Sequence, residues 1–213
     1  MFSGFYIKNN RALNIISVLM FLAIIIGGVC ELNGCKMLVD RFPNMIGESV
    51  YGVSFLIGLA ALAVFFLLIN EDQFEKVGNH VAEYYALMFF SFCGIAVLAQ
   101  FNNLVLMFLG IELMSIPMYI IAGTNKESMK STEASVKYFL MGAFSTGILL
   151  LGVTFLYGAT GTFLVENIDK FDPNFEMIYY LGWILLFFSF CFPLLYSFAV
   201  ARPYFSITGA TFR

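Results

Sequence analysis

Glu112 stands inside an apolar run, Asn103 to Gly123, nine positions past Asn103. A helix rising ~1.5 Å per residue carries it about 13–14 Å into a crossing of ~30 Å, close to the midplane. A central acidic residue costs about 2.5–3.5 kcal/mol even on permissive insertion scales, so Glu112 should face protein or water and have a partner. The chemistry open to such a group is proton uptake and release. The plainer alternative is a protonated, neutral carboxyl satisfied by a neighbouring helix. Pro117 follows five residues on in the same run. Its ring excludes the usual hydrogen bond to the carbonyl of Leu113, which implies a kink and a freed carbonyl one turn from the acid. Membrane helices tolerate such breaks where backbone lines a cavity or packs on other helices, and many kinks are merely structural.

Lys137 is the second ionisable candidate, followed at once by the apolar run Tyr138-Phe139-Leu140-Met141. If its helix begins near Ser131 or Thr132, both good N-caps, Lys137 lies about 8–9 Å along it. A lysine at that depth can snorkel to the interface. Buried instead, it can release its proton when desolvated and regain it when a carboxylate approaches, a switchable proton carrier.

The elements that position these residues follow from composition. Of 213 residues, 61% are hydrophobic and 12% charged, where soluble domains average roughly 45–50% and about 25%. With a mean hydropathy of +0.88, the apolar excess is more than one core of this length can hide from water. Six stretches are long enough to span a bilayer: Leu13 to Cys30, Val50 to Ile69, Tyr84 to Gln100, Asn103 to Gly123, Ser135 to Tyr157, and Met177 to Val200. None alternates polar with apolar residues, so barrel strands are excluded and an all-α integral membrane protein of about six transmembrane helices is expected. The first stretch is too long for a secretory signal and reads as a retained helix.

Charge collects in the connections, such as Glu71 to Lys76 and Asn125 to Lys130. Only Phe101-Asn102-Asn103 separates the third and fourth stretches, which implies an antiparallel hairpin with a tight polar turn. No linker suggests a second domain, so residues 1–213 read as a single membrane domain. Lys8, Arg11, Lys76, Lys126, Lys130, Arg202 and Arg213 fall on one side, against Lys36, Arg41 and Lys170 on the other. By the positive-inside rule both termini face the cytoplasm.

A net charge of −3 argues against a nucleic-acid partner. Cys30, Cys35, Cys93 and Cys191 form no CxxC pair, and the single histidine, His80, sits in a charged loop. Neither a metal site nor a nucleotide motif is visible. The small residues of Gly142 to Gly147, and Gly152, suit close helix packing.

At these residues the sequence resembles the subunit N family of bacterial NADH-quinone oxidoreductase, respiratory complex I, within the antiporter-like proton-translocating subunits. The stretches that carry the resemblance are Glu83 to Met88, Phe108 to Pro117, Glu133 to Phe144, and Leu156 to Gly161. Gly-Ile-Glu followed by Ser-Ile-Pro, and then Glu-Ala-x-x-Lys-Tyr, resemble subunit N more than its sister subunits. The resemblance implies a partial antiporter-like helix bundle in which Glu112 matches the fifth-helix glutamate of an ion-pair switch. It implies that Lys137 matches a sixth-helix lysine of the internal proton path. It further implies a translocase subunit that binds no cofactor itself, since NADH, flavin, iron-sulfur clusters and quinone belong elsewhere in the complex. Expected partners are the other membrane subunits of complex I, the lipid bilayer and protons, in a bacterial inner membrane.

Two departures accompany the resemblance. The family has roughly fourteen helices and about twice this length, and residues 13 to 30 resemble its second helix. Where the family's seventh helix carries Phe-Lys-x-Ser and then Pro-Phe-His, this chain has Phe192-Pro193-Leu194-Leu195-Tyr196, and residues 192–213 depart from the pattern. Pro193 stands in place of the lysine that partners the glutamate and should disrupt the helix. These departures imply a truncated or frameshifted copy. Two other readings stay open: a subunit of a multi-subunit cation/proton antiporter, and an inactive membrane fragment or scaffold.

Overall fold

The computed structural model describes residues 10–33, 45–47, 49–69, 81–123 and 129–209. Lys8, Cys35, Lys36, Arg41, Lys76, His80, Lys126, Arg213 and the side chains of Arg11, Lys130, Pro193 and Arg202 lie outside the described set. Six α-helices follow one another: α1 Asn10–Leu32, α2 Val50–Ile69, α3 Val81–Ala99, α4 Leu104–Ala122, α5 Met129–Thr160 and α6 Glu176–Gly209. Each is long and apolar enough to cross a membrane, as the six apolar stretches led one to expect.

The ends depart from expectation in two places. Met129 and Lys130, expected in a loop, are the first residues of α5, which places Lys137 about 12 Å along the helix. The backbone of α6 stays helical through Pro193 to Gly209, so the expected disruption does not occur. Pro193 and Pro203 remove two amides from a ladder of 34 residues, and membrane helices absorb such losses through their neighbouring bonds.

Local chemistry sets the helix boundaries. Asn103 caps α4 by accepting from the amide of Val105 at 2.8 Å. Gly161, at φ +70, closes α5, its amide donating to the Tyr157 carbonyl at 2.8 Å. Before α6, the Asp172 carboxylate accepts from the Asn174 amide at 3.0 Å, within the short 3-10 turn Pro173–Phe175.

The described residues group into two compact units, divided between Thr124 and Asn125. The first holds α1 to α4. Its core gathers Leu13, Phe21, Ala60, Leu67, Tyr85 and Phe92, with Phe21 stacked on Phe89 at 4.5 Å and edge-on to Phe92 at 5.1 Å. The buried Tyr85 hydroxyl donates to Asn14 Oδ1 at 3.1 Å, tying α3 to α1. Residues 45–47 pin the α3–α4 turn: the Gly47 amide donates to the Gln100 carbonyl at 2.8 Å and the Asn102 amide to that of Met45 at 2.9 Å. The hairpin expected from Phe101-Asn102-Asn103 is therefore present and clamped.

The second unit pairs α5 with α6 around Leu149, Val153, Leu156 and Leu186. Gly152 makes the close approach, since a Cβ there would lie 3.0 Å from the Gly182 carbonyl oxygen. Ser145 and Ser189, both buried, exchange hydrogen bonds: each hydroxyl donates to the other's carbonyl, at 2.6 and 2.8 Å. The packing role expected of Gly152 and Ser145 holds, whereas Gly147 faces open space.

Among the described residues, most of the apolar surface of the six spans is exposed. Only 17–28% of each candidate span is buried, and Tyr51 and Phe187 are 88% and 72% exposed. Water cannot be the solvent for such faces. The chain is a multi-pass membrane protein.

Candidate functional site

Glu112 occupies the middle of α4, eight residues past Leu104 and ten before Ala122. The spacing from Asn103 thus places Glu112 near the middle of the observed helix. Glu112 is half-buried. Around it, α4 departs from a plain apolar rod: Ser115 donates to the Ile111 carbonyl at 2.6 Å, and Pro117 is fully buried.

Among the described residues, α3 is the helix against which α4 packs extensively. They touch backbone to backbone at Gly94. A Cβ on Gly94 would lie 2.5 Å from the Met114 nitrogen and 2.9 Å from both the Gly110 oxygen and the Leu113 carbonyl carbon. Gly110 answers from the other side, where a Cβ would meet Leu98 Cγ at 2.8 Å. Ser91 Oγ lies 3.4 Å from the Met114 carbonyl oxygen.

This grip has a direction. Gly110, Met114 and Pro117 share the face of α4 that meets α3. At about 100° per residue, Glu112 lies roughly 160–200° around the helix from Gly110 and Met114. Its own stripe contains Val105, Leu109 and Ile116, which are 40%, 52% and 45% exposed. Within the first unit, Glu112 therefore faces away from the helix that holds α4.

Lys137 belongs to the second unit. Its ammonium donates to the carboxylate of Glu133, one turn earlier on α5. Both side chains are exposed, 51% and 63%. The two ionisable candidates thus sit on separate compact units, one positioned by a helix crossing and the other paired within its own helix. Among the described residues, no group of three or more His, Cys, Asp or Glu side chains is placed to hold a metal ion.

Sequence reasoning missed Glu133 as a partner, although a Glu four residues before a Lys is the favoured spacing for a helical ion pair. It also missed Gly94 and Gly110. Each stands eight residues from Asn102 in the hairpin turn, a symmetry that places them opposite one another once the two helices fold back.

Residues 101–200, which include both Glu112 and Lys137, match a family model described as NADH:quinone oxidoreductase/Mrp antiporter, TM. Curated relatives to which the chain is similar include the NADH-quinone oxidoreductase subunit N of Cytophaga hutchinsonii. It is 37% identical over 167 residues, covering 78% of this chain and 36% of the relative. The subunit N of Azorhizobium caulinodans is 32% identical over 198 residues, covering 87% and 39%. The fold is shared with a chain of respiratory complex I from Thermus thermophilus with bound Aureothin, at a TM-score of 0.66 and 22% identity over 86% of this chain and 38% of that one. It is shared also with a chain of the archaeal membrane-bound sulfane sulfur reductase, at 0.64 and 20%, over 84% and 38%. The chain spans well under half the length of these relatives. The resemblance read from the residues holds.

Proposed function

We propose that this chain acts as a proton-translocating membrane segment of the kind its relatives named NADH-quinone oxidoreductase subunit N contain, with Glu112 as a proton-carrying group and Lys137 as a second station on the path. The observation that carries the reading is the placement of Glu112: a carboxyl at mid-helix, inside the stretch matched by the family model, on a helix that contains a buried proline. In an apolar stripe the neutral acid is tolerated, whereas the carboxylate needs a positive or hydrogen-bonding neighbour. Approach of such a neighbour then releases the proton, and its withdrawal loads it again. Lys137, held by Glu133, supplies a positive charge whose proton can move when that pair separates.

In this reading the chain performs no redox chemistry and binds no cofactor. NADH oxidation and quinone reduction belong to other subunits of the same complex, which are its partners in a bacterial inner membrane, with both termini of this chain cytoplasmic. The family description also covers Mrp-type antiporters, but the similar curated relatives are named as subunit N, which favours the respiratory reading.

The test is Glu112→Ala in the assembled membrane complex. NADH-driven proton pumping and quinone reduction should fall by about tenfold or more, while NADH oxidation with a soluble acceptor persists. Pumping equal to wild type would make the carboxyl structural. Pumping driven by sodium or potassium gradients without NADH would favour the antiporter reading.

A further inference from the structure

We infer that Gly94 of α3 is a positioning residue for Glu112, setting the direction and depth of the carboxyl by gripping the opposite face of α4. The inference rests on the proton-carrying reading of Glu112. Three observations converge on it. Gly94 meets backbone first: the three atoms nearest an added Cβ, all within 3 Å, are the Met114 nitrogen, the Gly110 oxygen and the Leu113 carbonyl carbon. Those atoms belong to the turn of α4 that bears Glu112. The contact is also placed where the helix is weakest, because Pro117 removes the amide that would bond to Leu113.

A backbone contact cannot yield as a side chain yields. To bring an alanine Cβ from 2.5 Å to ordinary contact with Met114, α4 must retreat by about 1 Å or rotate about its axis. Either motion is delivered to Glu112, which lies on the far side of the same turn. Displacements of that size at a reacting group cost about a hundredfold in well-studied enzymes. Gly110 provides a graded comparison, since its added Cβ would meet the side chains of Leu98 and Val97, which can shift. Gly58 on α2 supplies the control, with nothing within 4 Å.

The experiment compares Gly94→Ala, Gly110→Ala, Gly58→Ala and Glu112→Gln in the assembled complex. Three quantities are read: the amount assembled in the membrane, NADH-driven pumping, and the pH profile of pumping. Gly94→Ala should lower pumping per assembled complex about tenfold or more and displace the pH profile. Gly110→Ala should do the same to a smaller extent, and Gly58→Ala should match wild type. A purely structural glycine would lower the assembled amount and leave the profile of the remaining complexes in place, and that result would overturn the inference. If Gly94→Ala does not assemble, Gly110→Ala decides, and a wild-type profile there would also overturn it. Failure of the underlying reading looks different: Glu112→Gln itself would then pump as wild type.

Discussion

The two units solve the same packing problem with the same residues and arrive at different uses. Each brings two apolar helices into contact through glycine, Gly94 with Gly110 in the first and Gly152 with Gly182 in the second. In the first unit the crossing falls on the turn that carries the ionisable residue. In the second it falls eight to fifteen residues past Lys137, about 12–22 Å along α5, and is reinforced by the Ser145–Ser189 exchange. Lys137 meanwhile takes a partner one turn away on its own helix. On the inference drawn for Gly94, the first crossing positions an ionisable group, whereas the second joins two helices at a distance from one.

The severest way to break this contrast is Gly152→Leu. Its Cβ would already sit 3.0 Å from the Gly182 oxygen and the Leu186 nitrogen, so the larger side chain must force α5 from α6. A loss of about 3 kcal/mol or more is expected, read as chain missing from the membrane and a lowered Tm in detergent. Wild-type stability would show that the crossing carries little.

A smaller change sharpens the contrast. Ser145→Ala combined with Ser189→Ala removes the exchanged hydrogen bonds, each worth about 0.6 and at most ~1.7 kcal/mol in membrane helices. Stability should drop measurably while pumping per assembled complex stays as in wild type, unlike Gly94→Ala. A pumping defect at unchanged assembly would move the serine pair from adhesive to mechanism.

For the local pair, Glu133→Gln should reduce pumping less than Lys137→Gln, because the amide still accepts a hydrogen bond from the ammonium while the charge on Lys137 is kept. The reverse order would make Glu133 the working group. Smallest of all is Gly147→Ala, with nothing within 4 Å, which should change stability by no more than about 0.5 kcal/mol.

Much of this was legible in the sequence because the bilayer permits few solutions. Apolar runs of bilayer length gave six helices, and the spacing of Glu112 from Asn103 gave its place along α4. Direction was harder to read. Whether Glu112 faces its packing neighbour or turns from it depends on which side of α4 the glycines occupy, and that became visible only when Gly94 and Gly110 met across the Asn102 turn. Helix ends were the other weak point. Met129 and Lys130 extend α5 into a charged stretch, since a helix does not stop where hydrophobicity does. Pro193 showed the limit of reading a breaker from residue type alone, because the ladder around it continues.

The central claim is that the Glu112 carboxyl gains and loses a proton during turnover. The most direct measurement is the infrared difference spectrum of the membrane complex with and without NADH, followed at the C=O stretch of protonated carboxyls. The expected result is a difference band that disappears in Glu112→Gln and shifts in Gly94→Ala. A carboxyl difference spectrum left unchanged by Glu112→Gln would contradict the claim.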